Sequence, residues 1–292
     1  MKPQLFHLHA LSALHCGAGQ SAGIVDLPIA RDRASNLPLV PGSSLRGVLR
    51  AEIENTPERD ALAKTLFGPR SIGEADEAHA GALAMGDAHL LLLPIRALAG
   101  IVAYATCPFI LKRYAKDLPQ APAIPEVGET RAHSVQDNVN TISGKVILED
   151  LDLDAKQCPD AAAWAARIAA AVFDNDTAAQ KDLQDRFLIL SDTVFSFLAE
   201  TATEIRARIR IDPQTGIVAN GALWYEENLP AESILWGIYA FSDSRVKGET
   251  QSADQLASSF SATLGITPLL QLGGKAGVGR GITRFLAGGG QC

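Results

Sequence analysis

The segment Thr203-Glu-Ile-Arg-Ala-Arg-Ile-Arg-Ile211 alternates without a break. A period of two excludes an amphipathic helix. It sends Ile205, Ala207, Ile209 and Ile211 to one face of a strand and Arg206, Arg208 and Arg210 to the other. Asp212-Pro-Gln-Thr-Gly216 then supplies reversing-turn residues, and 217–225 returns as the partner strand. An antiparallel hairpin is therefore expected in the second half of the chain, which argues against an all-parallel sheet. The remainder mixes strands and helices with no regular βαβ alternation. Strands are expected at 4–14, 82–95, 100–111, 187–190, 233–241 and 267–272, with a last one ending near Leu286. An interrupted strand is expected at 24–30, where Pro28 forces an edge or irregular position. Helices are expected from Ser43 or Ser44 to about residue 54, over 160–173, briefly from Asp192, and over 252–264. The class is α+β with an antiparallel sheet, and β-α-β and α-β units in both halves point to a ferredoxin-like or RRM-like core. Residues 1–115 read as its first half and 191–292 as its second. The stretch 116–190, opened by Pro119, Pro122 and Pro125, reads as an insertion.

With 47% hydrophobic residues, the 292-residue chain has ample material for a packed core, which excludes a disordered polypeptide. Its four cysteines (Cys16, Cys107, Cys158 and Cys292) include no close pair, the pattern of a reducing cytosol. The N-terminus lacks the continuous apolar stretch of a secretory signal, and the longest apolar runs fall far short of a bilayer span. A cytoplasmic chain with no membrane partner is expected. The formal charge of −7 counts against a generic nucleic-acid coat, but it is unevenly spread. Residues 1–50 carry five basic groups against two acidic ones. Residues 271–292 carry Lys275, Arg280 and Arg284 and no acid, whereas 126–190 holds twelve acids and six bases. Such asymmetry fits a localised anion-binding surface.

Several groups could carry chemistry. The loop Gly273-Gly-Lys-Ala-Gly-Val-Gly-Arg-Gly281 is not a dinucleotide fingerprint, because only eleven residues follow it and none is acidic. It offers flexible backbone N–H groups at Gly273, Gly274, Gly277 and Gly279 beside Lys275 and Arg280. That suits a phosphate backbone, and it also suits a turn that needs positive φ. Arg206, Arg208 and Arg210 would stand roughly 6.6–6.8 Å apart, near the spacing of successive phosphates. Asp26, between a glycine-rich loop and Pro28, is a candidate for holding Mg²⁺ or accepting a proton, or is a turn aspartate. Glu226 and Glu227 are a strand end or a second acid. His7, His9, His15 and Cys16 match no standard zinc spacing.

Several segments, in order along nearly the whole chain, together resemble one family. They are His9–His15, Gly23-Ile-Val-Asp-Leu-Pro-Ile29, Leu37-Pro-Leu-Val-Pro-Gly-Ser-Ser-Leu-Arg-Gly-Val-Leu-Arg50, Leu66-Phe-Gly-Pro69, Gly86-Asp-Ala88, Leu223-Trp-Tyr-Glu-Glu227 with Leu229-Pro230, and Leu270–Gly281. The family is the RAMP superfamily and, within it, the repeated backbone subunit of type III-B (Cmr) CRISPR effector complexes. The resemblance is weakest over 112–190. It implies a modified RRM-like core with a projecting β-hairpin thumb. Copies of the chain would stack along a guide RNA (crRNA), together with other Cmr subunits, and cut a complementary target RNA at regular intervals. On this resemblance Asp26 is the cleaving aspartate, His15 its neighbouring histidine, and Glu226 or Glu227 the further acid. Asn228 stands where some members carry an aromatic residue. Arg46 replaces a lysine in the Pro-Gly-Ser-Ser-Leu segment, so Ser43, Ser44, Arg46 and Arg50 join Lys275 and Arg280 as guide-backbone contacts. Cleavage is implied to need a divalent metal, Mg²⁺ foremost, at Asp26. Two alternatives stay open: a non-catalytic guide-binding filament subunit, and a stand-alone guide-processing endoribonuclease.

Overall fold

Strand β1 (Lys2–Ala10) runs through the middle of a four-stranded block that organises the molecule. The computed structural model describes every residue except 1, 20–24, 56, 71–77, 266–267 and 292. After β1 come β2 (Leu39–Val40), α1 (Gly42–Ile53), α2 (Asp60–Phe67), β3 (Leu83–Met85), β4 (Ala88–Ala97), β5 (Ile101–Thr106) and α3 (Pro108–Ala115). The middle of the chain forms β6 (Arg131–Ser134), β7 (Thr141–Ile142), β8 (Lys145–Leu148), β9 (Leu151–Gln157), α4 (Pro159–Phe173), α5 (Thr177–Asp185) and β10 (Phe187–Leu190). The last third forms α6 (Asp192–Thr201), β11 (Glu204–Ile211), β12 (Val218–Asn228), β13 (Ile234–Phe241), α7 (Ala253–Leu264), β14 (Leu269–Gln271) and β15 (Ile282–Gln291).

The central block has the spatial order β15-β1-β13-β4, antiparallel throughout, and the chain order β1-α1-β4-β13-α7-β15. Every β1 residue from Leu5 to Ala10 is buried, because helices cover both faces of the sheet. On one face Phe6 stacks on Phe285 at 5.3 Å, and Tyr239 meets Phe260 of α7 at 6.0 Å. On the other, His7 Nε2 lies 2.7 Å from the Tyr114 hydroxyl of α3, and Tyr114 packs against Trp164 of α4 and Trp236 of β13. Burial, and then the charge of Arg167, pull the His7 imidazole down to about 4, so it is neutral at physiological pH. His9 bonds Glu232 at 2.7 Å. The N-terminal histidines therefore serve packing and hydrogen bonding.

The expected insertion is part of this sheet. β10 lies between β5 and β6, and β6-β9-β8-β7 carries the sheet onward. Helix α4 buries Trp164, Ala165, Ile168 and Ala169 in the same apolar cluster as β1. The proline-rich stretch after α3 forms no regular element before β6, so the composition break was real, but the apolar faces of α4 and β10 draw the segment into the core. Other boundaries moved for local reasons. The first strand ends at Ala10 rather than 14. Residues 108–111 are helical, because Pro108 sits where a helix start tolerates proline. Helix α1 starts at Gly42 behind Pro41, with no serine side-chain cap. Asp87 replaces that cap, since its Oδ1 accepts the Gly42 N–H at 2.7 Å. Helix α7 opens as expected, with a Ser252–Gln255 capping box. Part of the glycine-rich loop at 16–23, the first residue of the strand expected from 267, and Cys292 lie outside the described residues. Cys16, Cys107 and Cys158 are free thiols. Among the described residues no helix is long and apolar enough to cross a membrane.

Candidate functional site

Strands β11 and β12 form a two-stranded sheet of their own. Arg206 faces Glu226 and Arg208 faces Trp224, while Ile205 faces Glu227, Ala207 faces Tyr225 and Ile209 faces Leu223. Directly opposed residues share a face, so the hairpin has one polar side and one apolar side, as the alternation demands. The apolar side is open: Ile205, Ile209, Leu223 and Tyr225 are all exposed. The register shifts between Ile209 and Ile211, so Arg210 falls in an irregular stretch rather than at a third even step.

At its root β12 offers a free edge, and the candidate catalytic residues hang from it. Tyr225 and Glu227 are two apart, so their backbone groups point the same way. The Tyr225 N–H donates to Asp26 Oδ2 at 2.8 Å, and its carbonyl accepts the Leu27 N–H at 3.1 Å. The Glu227 N–H donates to the Leu27 carbonyl at 3.0 Å, and its own carbonyl accepts His15 Nδ1 at 2.7 Å. One strand edge thus fixes Asp26 and His15 together. Since the acceptor is a carbonyl, His15 carries its proton on Nδ1, which leaves Nε2 as the basic nitrogen of the neutral ring. His15 is buried and Asp26 is exposed.

The two glutamates do not serve as free acids. Glu226 is 1% exposed. Its Oε1 receives Lys275 Nζ at 2.7 Å and Trp224 Nε1 at 2.8 Å, and its Oε2 receives Arg208 Nε at 3.2 Å. Burial pushes the carboxyl up, but the hydrogen bonds from Lys275, Trp224 and Arg208 and the Lys275 charge outweigh it and hold the group at about 2. Glu227 is 5% exposed; its Oε1 pairs with Arg31 at 2.5 Å and its Oε2 accepts the Ile29 N–H at 3.1 Å. Arg206 is held by Glu204 at 3.0 Å. The three arginines of β11 are therefore not balanced by Glu204 alone, because Glu226 reaches across from the neighbouring strand.

The glycine loop meets the same root. Gly274 N–H donates to the His15 carbonyl at 2.8 Å, and Gly281 N–H to the Ala13 carbonyl at 3.0 Å. A Cβ on Gly273 would lie 2.3 Å from the His15 carbonyl oxygen, and one on Gly281 2.0 Å from that of Leu272. Both also have positive φ, so these two glycines are packing requirements. Gly277 and Gly279 face open space. Lys275 itself adopts φ 68°, and its ammonium stands 5.9 Å from the Trp224 ring centre as well as on Glu226. Arg280 Nη1 is 4.0 Å from Glu204.

The arginines of α1 are employed elsewhere. Arg46 donates from Nη1 to the Leu83 carbonyl at 2.7 Å and from Nη2 to the Phe67 carbonyl at 2.5 Å, and it lies over the Phe67 ring. Arg50 Nε bonds Glu54 at 2.7 Å. The basic residues fall into two partnered sets. Arg46 and Arg50 tie α1 to its surroundings, whereas Arg206, Arg208, Lys275 and Arg280 gather on Glu204 and Glu226. Ser43 is exposed and Ser44 half-buried, and neither caps the helix.

Among the described residues no three His, Cys, Asp or Glu side chains converge as a metal would need. Glu226 and Glu227 are already neutralised by cations, so Asp26 offers the site a single carboxylate. Sequence reasoning missed Arg31, which bonds Glu227 and the Ala199 carbonyl. The signal was the glutamate pair: a buried carboxylate needs a cation, and Arg31 lies close along the chain from Asp26.

The RAMP superfamily profile matches residues 7–284. The CRISPR system Cmr endoribonuclease Cmr4 of Pyrococcus furiosus is 33% identical over 97% of this chain and 95% of its own. The fold is similar to the crystal structure of oligomeric Cmr4 from Pyrococcus furiosus, with a TM-score of 0.75 at 24% identity, covering 99% of this chain and 98% of that one. It is also similar to a chain in the cryo-EM structure of type III-B Cmr-beta bound to cognate target RNA, with a TM-score of 0.73 at 19% identity over 98% and 97% of the two chains. The chain belongs to the RAMP superfamily and, within it, to the Cmr4 family of type III-B CRISPR complexes.

Proposed function

We propose that this chain is a repeated backbone subunit of a type III-B CRISPR ribonucleoprotein that binds the guide RNA and cuts complementary target RNA at Asp26. The observation that carries this is the root edge of β12, where Tyr225 and Glu227, two residues apart, hold Asp26 and His15, with Lys275 and Arg208 on Glu226 between them. The order β15-β1-β13-β4 supports a modified RRM-like core. An RRM binds single-stranded RNA on an open sheet face. Here both faces of β1 are packed by helices, so RNA is left to the glycine loop and the hairpin. Contacts from Lys275, Arg280, Arg206, Arg208 and Arg210 would position the phosphate backbone, which can approach closely where Gly277 and Gly279 face open space. Sequence reading is left to base pairing. The partners are guide RNA, target RNA, further copies of the chain and the other Cmr subunits.

In cleavage, the target's own 2′-OH attacks the adjacent phosphorus and closes a 2′,3′-cyclic phosphate as the bond to the 5′ oxygen of the next nucleotide breaks and that oxygen takes a proton from solvent. Asp26 Oδ2 is occupied by the Tyr225 N–H, so Oδ1 is the oxygen that accepts or orients the 2′-OH proton. His15 Nε2 is the second basic position, and Lys275 and Arg208 hold neighbouring phosphates of the bound strand. A Mg²⁺ ion fits only as a guest held by Asp26 and RNA phosphates, the usual mode for this ion, and it would add charge neutralisation there.

The test is the assembled complex with Asp26→Ala. Guide content and target affinity stay at wild-type level, and cleavage falls on the order of 10³-fold. Unchanged cleavage would leave the chain a guide-binding filament subunit whose cutting is done elsewhere.

A further inference from the structure

We infer that Arg31 is a positioning residue for Asp26, acting through Glu227. This rests on the reading of Asp26 as the cleaving group. The segment carrying Asp26 forms no regular strand; it is held by isolated pairings, Gly17 with Ile29 on one flank and Leu27 with Glu226 on the other. Among the described residues Asp26 itself has one tether, the Tyr225 N–H. The register of that tether depends on how the rest of the segment is pinned to β12: the Leu27 backbone pairs with Tyr225 and Glu227, and beyond it the Glu227 carboxylate takes the Ile29 N–H and the Arg31 guanidinium.

Arg31 is the only charged partner recorded for that buried carboxylate among the described residues. It does more than neutralise. Its Nη1 donates to the Asn36 carbonyl at 2.9 Å and the Ala199 carbonyl at 3.1 Å, and its Nη2 to Ala199 at 3.2 Å. Ala199 lies in the last turn of α6, where carbonyls lack helical partners and a cation is favoured. Asn36 belongs to the loop that returns the chain toward β2, and its side chain also bonds Glu200 of α6 at 2.7 Å. One guanidinium thus joins the Asp26 segment, the root of the hairpin and α6, using the fork geometry that lysine lacks. Its side chain is 17% exposed, so the anchor is set back from solvent. Without it, Glu227 loses its counter-charge and the pairing that aims Asp26 is free to shift.

The experiment compares Arg31→Ala, Arg31→Gln and Arg31→Lys in the assembled ribonucleoprotein for guide content, target affinity and single-turnover cleavage at saturating target. Guide content and affinity are expected to match wild type. Cleavage by Arg31→Ala falls on the order of 10–100-fold, the scale of a misplaced catalytic group. Arg31→Lys keeps the charge on Glu227 without the fork and recovers part of the rate, whereas Arg31→Gln keeps a donor without the charge and does not. A wild-type rate in Arg31→Ala overturns the inference, as does a loss that appears only as weaker target binding. If Arg31→Ala fails to assemble, equal rates for the Lys and Gln variants overturn it. Asp26→Ala in the same series separates the two readings. Normal cutting there removes both; loss of cutting there with normal cutting in all Arg31 variants removes only this one.

Discussion

The two faces of β12 meet the rest of the molecule through adjacent carboxylates, Glu226 and Glu227, and the partners of the two differ in kind. Glu226 collects mobile cations, Lys275 from the glycine loop and Arg208 from the neighbouring strand, both about one-third exposed. Glu227 collects backbone and a set-back arginine, Ile29 N–H and Arg31. Strand geometry enforces the division, since consecutive residues point to opposite faces. A buried anion surrounded by partly exposed cations leaves those cations open to solvent on one side. A buried anion surrounded by chain segments holds the segments in register. On the proposed function, the hairpin root would separate holding RNA from cutting it across the two faces of one strand.

The largest effect that probes this comparison is acid unfolding. Glu226 sits at about 2 in the folded protein, below its ordinary value of 4.5. Its contribution is fully present above the unfolded value and is lost as pH falls from about 4.5 toward 2, by on the order of 3 kcal/mol. Denaturant titrations of the purified chain between pH 2 and 6 should show that loss in wild type and a flatter profile in Glu226→Gln. Identical profiles would mean the Lys275–Glu226–Arg208 cluster does not hold in solution. Next comes Arg46→Ala, which strips donors from the Leu83 and Phe67 carbonyls. Thermal or denaturant unfolding should register about 1–3 kcal/mol of destabilisation with guide affinity unchanged. A loss of guide affinity with normal stability would restore α1 to the RNA-facing surface. The smallest effect is Lys275→Ala. The slope of log affinity against log salt for guide or target should drop by about 1, with cleavage at saturating target unchanged.

Much of the fold was legible because its signals are local. The alternation of 203–211, the Ser252–Gln255 cap and the alanine-rich α4 each declare themselves within a dozen residues. Three features were not local. Helix α1 takes its cap from Asp87, 45 residues away. Strand β10 inserts between β5 and β6, which makes the supposed insertion part of the sheet. Strand β1 alternates locally over Phe6–Ala10, but the Tyr114 and Trp164 side chains that bury its His7 face come from helices more than 100 residues away. At the site, Asp26, His15 and the glycine loop were readable as candidates, but the roles of Glu226 and Glu227 were not. Whether a carboxylate is a free acid or a paired anchor depends on cations that arrive from residues 31, 208 and 275. The same limit applies to Arg46 and Arg50: their charge is visible in the sequence, while the Leu83 and Phe67 carbonyls and Glu54 that they bond are not.

The division across β12 is tested most directly by Glu226→Gln and Glu227→Gln, measured side by side in the assembled complex for target affinity and for single-turnover cleavage at saturating target. The account predicts that Glu226→Gln alters affinity and its salt dependence while the saturating rate holds, and that Glu227→Gln lowers the saturating rate by about tenfold or more while affinity holds. Matching changes in both quantities for the two variants would contradict it.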